Sequence, residues 1–182
     1  MASRSWQGLA QDLVGAPLRV GPQRLAQRRP RRRQDPDRQV EGHQGRQRSA
    51  GDGKWAASGT CQINLLEMLL QDPYFKQPPP KSTGKEYFHR EWLNRYLKNF
   101  ASFRSEDIQA TLVALTTHST MQAIHGFCGK ADEMIVCGGG SKNLQLMEQL
   151  NYLAEKQGMH VTTSSAFGID PEWIEAAAFA WL

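Results

Sequence analysis

The sequence has no CxxC pair, no apolar run near the roughly 20 residues that cross a bilayer, and a single aromatic residue, Trp6, in its first 50 positions. Each shortage excludes something. Three cysteines, Cys61, Cys128 and Cys137, are an odd number at spacings that suit neither a disulfide framework nor a zinc site. They fit reduced, mostly buried thiols in a cytoplasmic protein. A secretory signal is excluded because no apolar stretch leads to a small-residue cleavage site. An Arg-rich, acid-poor start leaves a transit peptide as the remaining targeting alternative.

Charge is divided unevenly along the chain. Residues 1–50 hold 11 Arg, no Lys and 4 acids, a balance of +7, whereas residues 51–182 hold 8 Lys, 3 Arg and 14 acids, a balance of −3. The leader over residues 1–52 is therefore basic and the remainder mildly acidic. Arg-rich tails can neutralise phosphates, but without aromatics to stack on bases this one argues against a nucleic-acid binder. Its few apolar residues follow no period, so burial cannot offset the entropy of ordering, and disorder is expected. All-Arg usage beside a Lys-richer body also fits GC-rich coding sequence translated out of frame up to about Gly51.

From Gly53 onward the pattern is that of a folded domain. "INLLEMLLQ" predicts a short buried helix through Ile63, Leu66, Met68, Leu69 and Leu70 that stops at Asp72-Pro73. "QPPPKSTGK" predicts a stiff loop. Residues 90–99 predict a helix with Trp92, Leu93, Tyr96 and Leu97 on one face. "SEDIQATLVALTTHSTMQAI" predicts the longest helix, N-capped by Ser105, with Ile108, Leu112, Leu115 and Met121 as its apolar stripe. "EMIVC" then predicts a buried strand, Gly138-Gly139-Gly140 a turn, and "NLQLMEQLNYLAEKQ" a helix closed by Gly158. "HVTTS" predicts a second strand. Asp170 and Pro171 open a final helix that is still apolar at Leu182, as though the chain were cut there. Strands alternating with helices indicate an α/β class.

The chemistry-bearing features are few. "MIVCGGGSKN" joins a strand to a helix through three glycines, which permits close approach of a ligand to the backbone beside a positive helix end near Asn143. A turn that merely needs glycine explains it equally well. "KSTGKE" fails the Walker pattern, because Glu86 follows Gly84-Lys85 and no glycine stands five residues before. His118 and His125 lack a carboxylate or thiolate partner, so packing or solvation is preferred to metal binding. Glu175 lies in the apolar "WIEAAAFAWL" and must face water, pair, or meet a ligand. No catalytic base and no metal site can be assigned from the residues.

Six stretches in order, "GKWAASG", "DPYF…PPPKSTGKEYF", "EDIQATLVALTTHS", "IVCGGGSKN", "VTTS…FGI" and "IEAAAFAWL", resemble anhydro-N-acetylmuramic acid kinase over about residues 53–182. The resemblance implies the C-terminal half of an actin-like, ribonuclease-H-like sugar-kinase fold. It implies ATP with Mg²⁺ as cofactors and 1,6-anhydro-N-acetylmuramic acid as substrate. The ring is opened by water as O6 receives the γ-phosphate, a step of cell-wall recycling. Gly138, Gly139, Gly140 and Asn143 match the nucleotide-facing turn of the family, and Glu175 matches a glutamate of the sugar site. Lys81, Ser82, Thr83 and Gly84 match a family loop of no assigned role. Full-length relatives of this kind can be homo-oligomers. The family's phosphate-binding loop and its Asp-Thr-Gly-Pro-type segment with the general base find no match, so this chain alone is expected to be inactive. The alternative is a non-catalytic remnant that binds a nucleotide or a partner chain.

Overall fold

Glycine, proline and buried carboxylates decide where each element begins and ends. The computed structural model describes residues 52–84, 86–100 and 103–181. The leader expected to be disordered lies, up to residue 51, outside the described residues. The elements are α1 (Lys54–Ala57), α2 (Ile63–Leu70), α3 (Pro73–Lys76), α4 (Arg90–Leu97), α5 (Ser105–Ala123) with a π-turn over Ile124–Cys128, β1 (Glu133–Val136), a 3₁₀ turn Gly139–Lys142, α6 (Leu144–Glu155), β2 (His160–Thr163), 3₁₀ turns Ser164–Phe167 and Pro171–Trp173, and α7 (Ile174–Trp181). The described residues are thus mixed α/β, with one two-stranded parallel sheet in which Met134 pairs with Val161 and Val136 with Thr163.

Two apolar clusters meet along α5. The first gathers Leu65, Leu66 and Leu69 of α2, Trp92 of α4, and Ala114 and Leu115 of α5, with Phe75, Phe88, Leu93, Tyr96 and Leu97 packed around them. Leu65 and Leu69 are fully enclosed while Ile63 is exposed, so α2 buries positions 65, 66 and 69. That shifts its inner face relative to the expected set, in which Leu65 had no place. The second cluster joins Met121 of α5, Leu150 and Ala154 of α6, Met159 and Val161, with Met134 and Val136 against it.

At the centre of the first cluster is a carboxylate. Asp72 is buried and accepts four hydrogen bonds, from Trp92 Nε1 (2.8 Å), Tyr87 OH (2.7 Å), Tyr96 OH (3.0 Å) and Tyr74 N (2.9 Å). Burial, the largest influence, pushes its pKa up, but the donors from Trp92, Tyr87, Tyr74 and Tyr96 together hold it below the ordinary value. Burial, followed by the same hydrogen bond, pushes Tyr96 up to about 12. The Asp-Pro step expected to stop a helix therefore also N-caps α3 and gathers four aromatic residues.

Helix α5 departs from its expected form in two ways. Arg104, not Ser105, is the N-cap residue, and Ser105 contributes no cap bond. Asp107 secures this end instead: Arg104 grips it bidentately (Nη2 2.9 Å, Nε 3.0 Å) and Thr60 N donates to it at 2.8 Å. The Arg104 bond first and the Thr60 amide second lower the Asp107 pKa. The expected single stripe is also too narrow. Asp107, Ala110, Thr111, Val113, Ala114, Leu115, Thr117 and Met121 are all buried, because α1, α2 and α6 surround the helix. Thr111 is tolerated inside because its hydroxyl donates to Asp107 O (2.7 Å) and accepts from Gln62 N (2.9 Å).

Helix α6 ends as expected at Gly158. Gly158 N donates to Glu155 O (3.0 Å) and Met159 N to Ala154 O (3.0 Å), the paired bonds of a Schellman motif, with Met159 and Ala154 both buried. Strand β1 does not behave as a buried strand. Met134 and Val136 face the second cluster, but Ile135 is 50% exposed, since α5 and α6 cover one face of the sheet only. Cys137 and Cys128 are exposed for the related reason that they fall beyond that cover, which corrects the expectation of mostly buried thiols. Cys61 fits it better, since burial pushes its thiol up to about 11 and leaves it protonated and unreactive.

Candidate nucleotide-facing site

The carboxyl ends of β1 and β2 lie on the same side because the strands are parallel, and the glycine turn is built there. In open α/β sheets ligands bind outside such ends. Gly138 adopts φ 72°, ψ −172°, a region essentially reserved for glycine. Its N–H donates to Pro171 O at 2.8 Å, while its carbonyl accepts from Ser141 N (3.2 Å) and Ser141 Oγ (2.8 Å). A Cβ placed on Gly138 or on Gly139 would meet nothing within 4 Å, so neither glycine is required by neighbouring atoms. Conformation requires glycine at 138, and the backbone at 138–139 stands open to an approaching group. Two hollows of about 420 and 340 Å³ lie elsewhere, along α4 and between Pro79 and Phe127. The turn is thus a floor without an opposing wall among the described residues.

Asn143 is placed beside this floor but its side-chain oxygen is already used. It N-caps α6 by accepting from Leu146 N at 3.0 Å, while Leu144 N donates to Asp52 O at 3.3 Å. The helix end that looked free for a ligand is therefore partly satisfied by the chain itself. Gly138, Gly139, Gly140 and Asn143 form one continuous rim. Glu175 is the second residue of α7 and is exposed, and the Gly138–Pro171 bond ties the turn that precedes this helix to the glycine turn. Asp170 Oδ1 caps this segment by accepting from Glu172 N (2.9 Å).

Two features of the rim escaped the sequence pattern. Lys142 and Glu172 form an ion pair at 2.6 Å that ties the glycine turn to the last segment. Thirty residues separate them and neither stands in a recognisable motif. Ser164, buried at the end of β2, has a hydroxyl with no hydrogen-bond partner among the described residues. The PPPKSTG loop lies apart from the rim. Lys81 Nζ donates to Tyr74 O (3.2 Å) and Phe75 O (3.3 Å) and sits 5.0 Å from the Tyr74 ring centre, so the lysine holds α3 in place.

Electrostatics around the rim limit what it can do alone. No group of three or more His, Cys, Asp or Glu able to hold a metal occurs among the described residues. His118, half-buried in α5 with its pKa lowered by burial, and His125, exposed in the π-turn, belong to different surroundings. No helix among the described residues is long and apolar enough to cross a membrane. Glycine backbone open to a ligand fits a phosphate-bearing one in shape, but the described residues supply no base beside it.

Comparison with known proteins fits this arrangement. The family model for anhydro-N-acetylmuramic acid kinase matches residues 36–182. A protein of that name from Pseudomonas putida is 44% identical over 131 residues, 72% of this chain and 36% of the relative. One from Shewanella amazonensis is 47% identical over 131 residues, 72% of this chain and 35% of the relative. One from Coxiella burnetii is 46% identical over 130 residues, 71% of this chain and 34% of the relative. The chain spans about a third of the length of these curated relatives. With the match running through the glycine turn and the last helix, the chain belongs to the anhydro-N-acetylmuramic acid kinase family.

Proposed function

We propose that this chain carries the nucleotide-facing part of an anhydro-N-acetylmuramic acid kinase of the bacterial cytoplasm and is catalytically silent by itself. The supporting observation is the glycine turn. Gly138 holds a conformation closed to other residues, and the backbone at Gly138 and Gly139 lies open at the carboxyl end of β1. Gly138, Gly139 and Gly140 line the nucleotide, Asn143 orients the turn by capping α6, and Glu175 faces the sugar. The whole fold is of the actin-like kind, with the described residues as a portion of its C-terminal half.

ATP would supply the γ-phosphate in the complete reaction. Water adds to the anomeric carbon of 1,6-anhydro-N-acetylmuramic acid, the bond from that carbon to O6 breaks, and O6 receives the phosphoryl group. The products are N-acetylmuramic acid 6-phosphate and ADP. This chain's residues would bind and orient, since phosphoryl transfer depends on positioning and electrostatic stabilisation. The described carboxylates near the turn are otherwise engaged or exposed: Glu172 pairs with Lys142, and Asp170 caps a turn. No described group is placed to activate the water, which is why silence is proposed.

Calorimetric titration of the chain with ATP, beside a coupled assay with ATP, Mg²⁺ and the anhydro sugar, tests both halves. Weak nucleotide binding that Gly138→Val abolishes, with no turnover, is the expected result. Turnover by the chain alone would defeat the claim of silence. Binding unaffected by Gly138→Val would remove the nucleotide from this turn.

A further inference from the structure

The glycine turn is tied to the segment in front of α7 at two points, and the two ties close a ring. Gly138 N donates to Pro171 O at 2.8 Å, and Lys142 Nζ meets Glu172 Oε1 at 2.6 Å. Residues 138–142 form one side of the ring, and Pro171 with Glu172 forms the other. Local bonds hold each side. Ser141 donates to Gly138 O through both its amide and its hydroxyl, and Asn143 N donates to Gly140 O (3.0 Å), so the backbone on either side of Lys142 is fixed. Asp170 Oδ1 accepts from Glu172 N (2.9 Å), and Trp173 N donates to Asp170 O (3.0 Å). An exposed ion pair ordinarily contributes little, because two long side chains must give up their freedom to meet. Here both backbones are held before the side chains meet, which lowers the cost of pairing.

We infer that Lys142 and Glu172 are positioning residues, whose pair keeps Gly138 in its open conformation by holding the segment that supplies Pro171 O. Gly138 has the most to gain from such a restraint. Its φ 72°, ψ −172° is one of many conformations that glycine can adopt, and the bond to Pro171 selects it only while that segment stays close. The same ring sets where α7 begins, because the turn Pro171–Trp173 runs directly into Ile174 and Glu175. This role rests on the nucleotide-facing reading of the turn and adds what holds the turn in shape. Charge alone points the other way. Glu172 is a carboxylate beside a turn read as receiving phosphate, and simple repulsion would make it a hindrance. Loss of that carboxylate should thus tighten ATP binding if charge governs and weaken it if position does.

Glu172→Gln in the full chain separates the two, with Lys142→Arg as the conservative variant that retains the pair. Both side chains are more than half exposed, so circular dichroism and the urea midpoint should stay those of the parent. Amide hydrogen exchange at Gly138, followed by NMR without nucleotide, should quicken about two- to fivefold in Glu172→Gln and keep the parent rate in Lys142→Arg. Calorimetric titration with ATP and Mg²⁺ should show affinity reduced about two- to fivefold by Glu172→Gln and retained by Lys142→Arg. An unchanged Gly138 exchange rate in Glu172→Gln would overturn the inference, and so would tighter ATP binding by that variant. A parent chain that binds no ATP would defeat the nucleotide reading, while the exchange rates, measured without nucleotide, would still decide whether the pair holds the turn.

Discussion

The helical half and the sheet half of the described residues solve opposite problems. Asp72 finds four donors within the chain, and Leu65, Leu69 and Trp92 beside it are almost fully enclosed. Around β1 and β2 one side is closed by α5 and α6, and the other presents Ile135, Trp173 and the whole of α7 to solvent. The same chain thus holds a self-sufficient core and half of a second one. Stability should accordingly be concentrated in the first region.

The largest effect that can break this contrast is a cavity in the helical core. Leu65→Ala should cost about 3 kcal/mol in urea unfolding, because Leu65 has no exposed surface and neighbours on all sides. A loss below about 1 kcal/mol would mean that this core is loosely packed.

Next in size is the buried carboxylate. Asp72→Asn should lose about 2 kcal/mol, by weakening hydrogen bonds to a charged acceptor and setting an amide N–H₂ against the Trp92 and Tyr donors. The sign of its pH dependence is fixed. The folded-state pKa lies below that of the unfolded chain, about 3.9, so Asp72 stabilises fully above that value. The contribution is lost as pH falls through the folded-state pKa. Acid titration of the urea midpoint should fall less steeply in Asp72→Asn than in the parent. Equal slopes would show that the acid limb belongs to other groups, Asp107 first among them.

Smaller again is the cost at the glycine turn. Gly138→Ala should destabilise by about 1–2 kcal/mol through backbone conformation, with no clash to add to it. Gly139→Ala, where φ is not positive and space is open, should stay within about 0.5 kcal/mol. Finding the two equal would remove the special status of position 138. At the bottom of the scale, Trp173→Ser on the uncovered side should change stability by no more than about 0.5 kcal/mol. A large loss there would show that α7 is already anchored and that the two halves are less different than described.

Much of this was legible in the sequence, and the misses share a cause. The strand–glycine–helix–strand order, the Gly158 terminus and the Asp170-Pro171 start depend on local rules, and the structure follows them. What failed depends on neighbours distant in sequence. Asp72 gathers donors from positions 74, 87, 92 and 96, of which helical spacing links only 92 with 96 and nothing in the pattern ties that pair to 72. Ser105 lost the cap position because Arg104 and Thr60 converge on Asp107. The apolar run EMIVC reads the same whether one face or two are covered, so its sequence could not announce the exposed Ile135. At the rim, the glycines were visible as a motif, whereas the Lys142–Glu172 pair and the unpartnered Ser164 hydroxyl exist only after folding.

Residues 52–60 carry a consequence of their own. At one end a side chain on Gly53 would collide with the Asn143 oxygen and the Gln145 amide. At the other, one on Gly59 would strike the backbone of Glu106 and Asp107. Asp52 and Thr60 complete the attachment through Leu144 N and Asp107 Oδ1. The segment works as a staple driven into the starts of α5 and α6. Asp52 is therefore pinned at the start of α6, immediately beyond the 3₁₀ turn of Gly139–Lys142, and the entry into this folded region is fixed there by bonds at both of its ends.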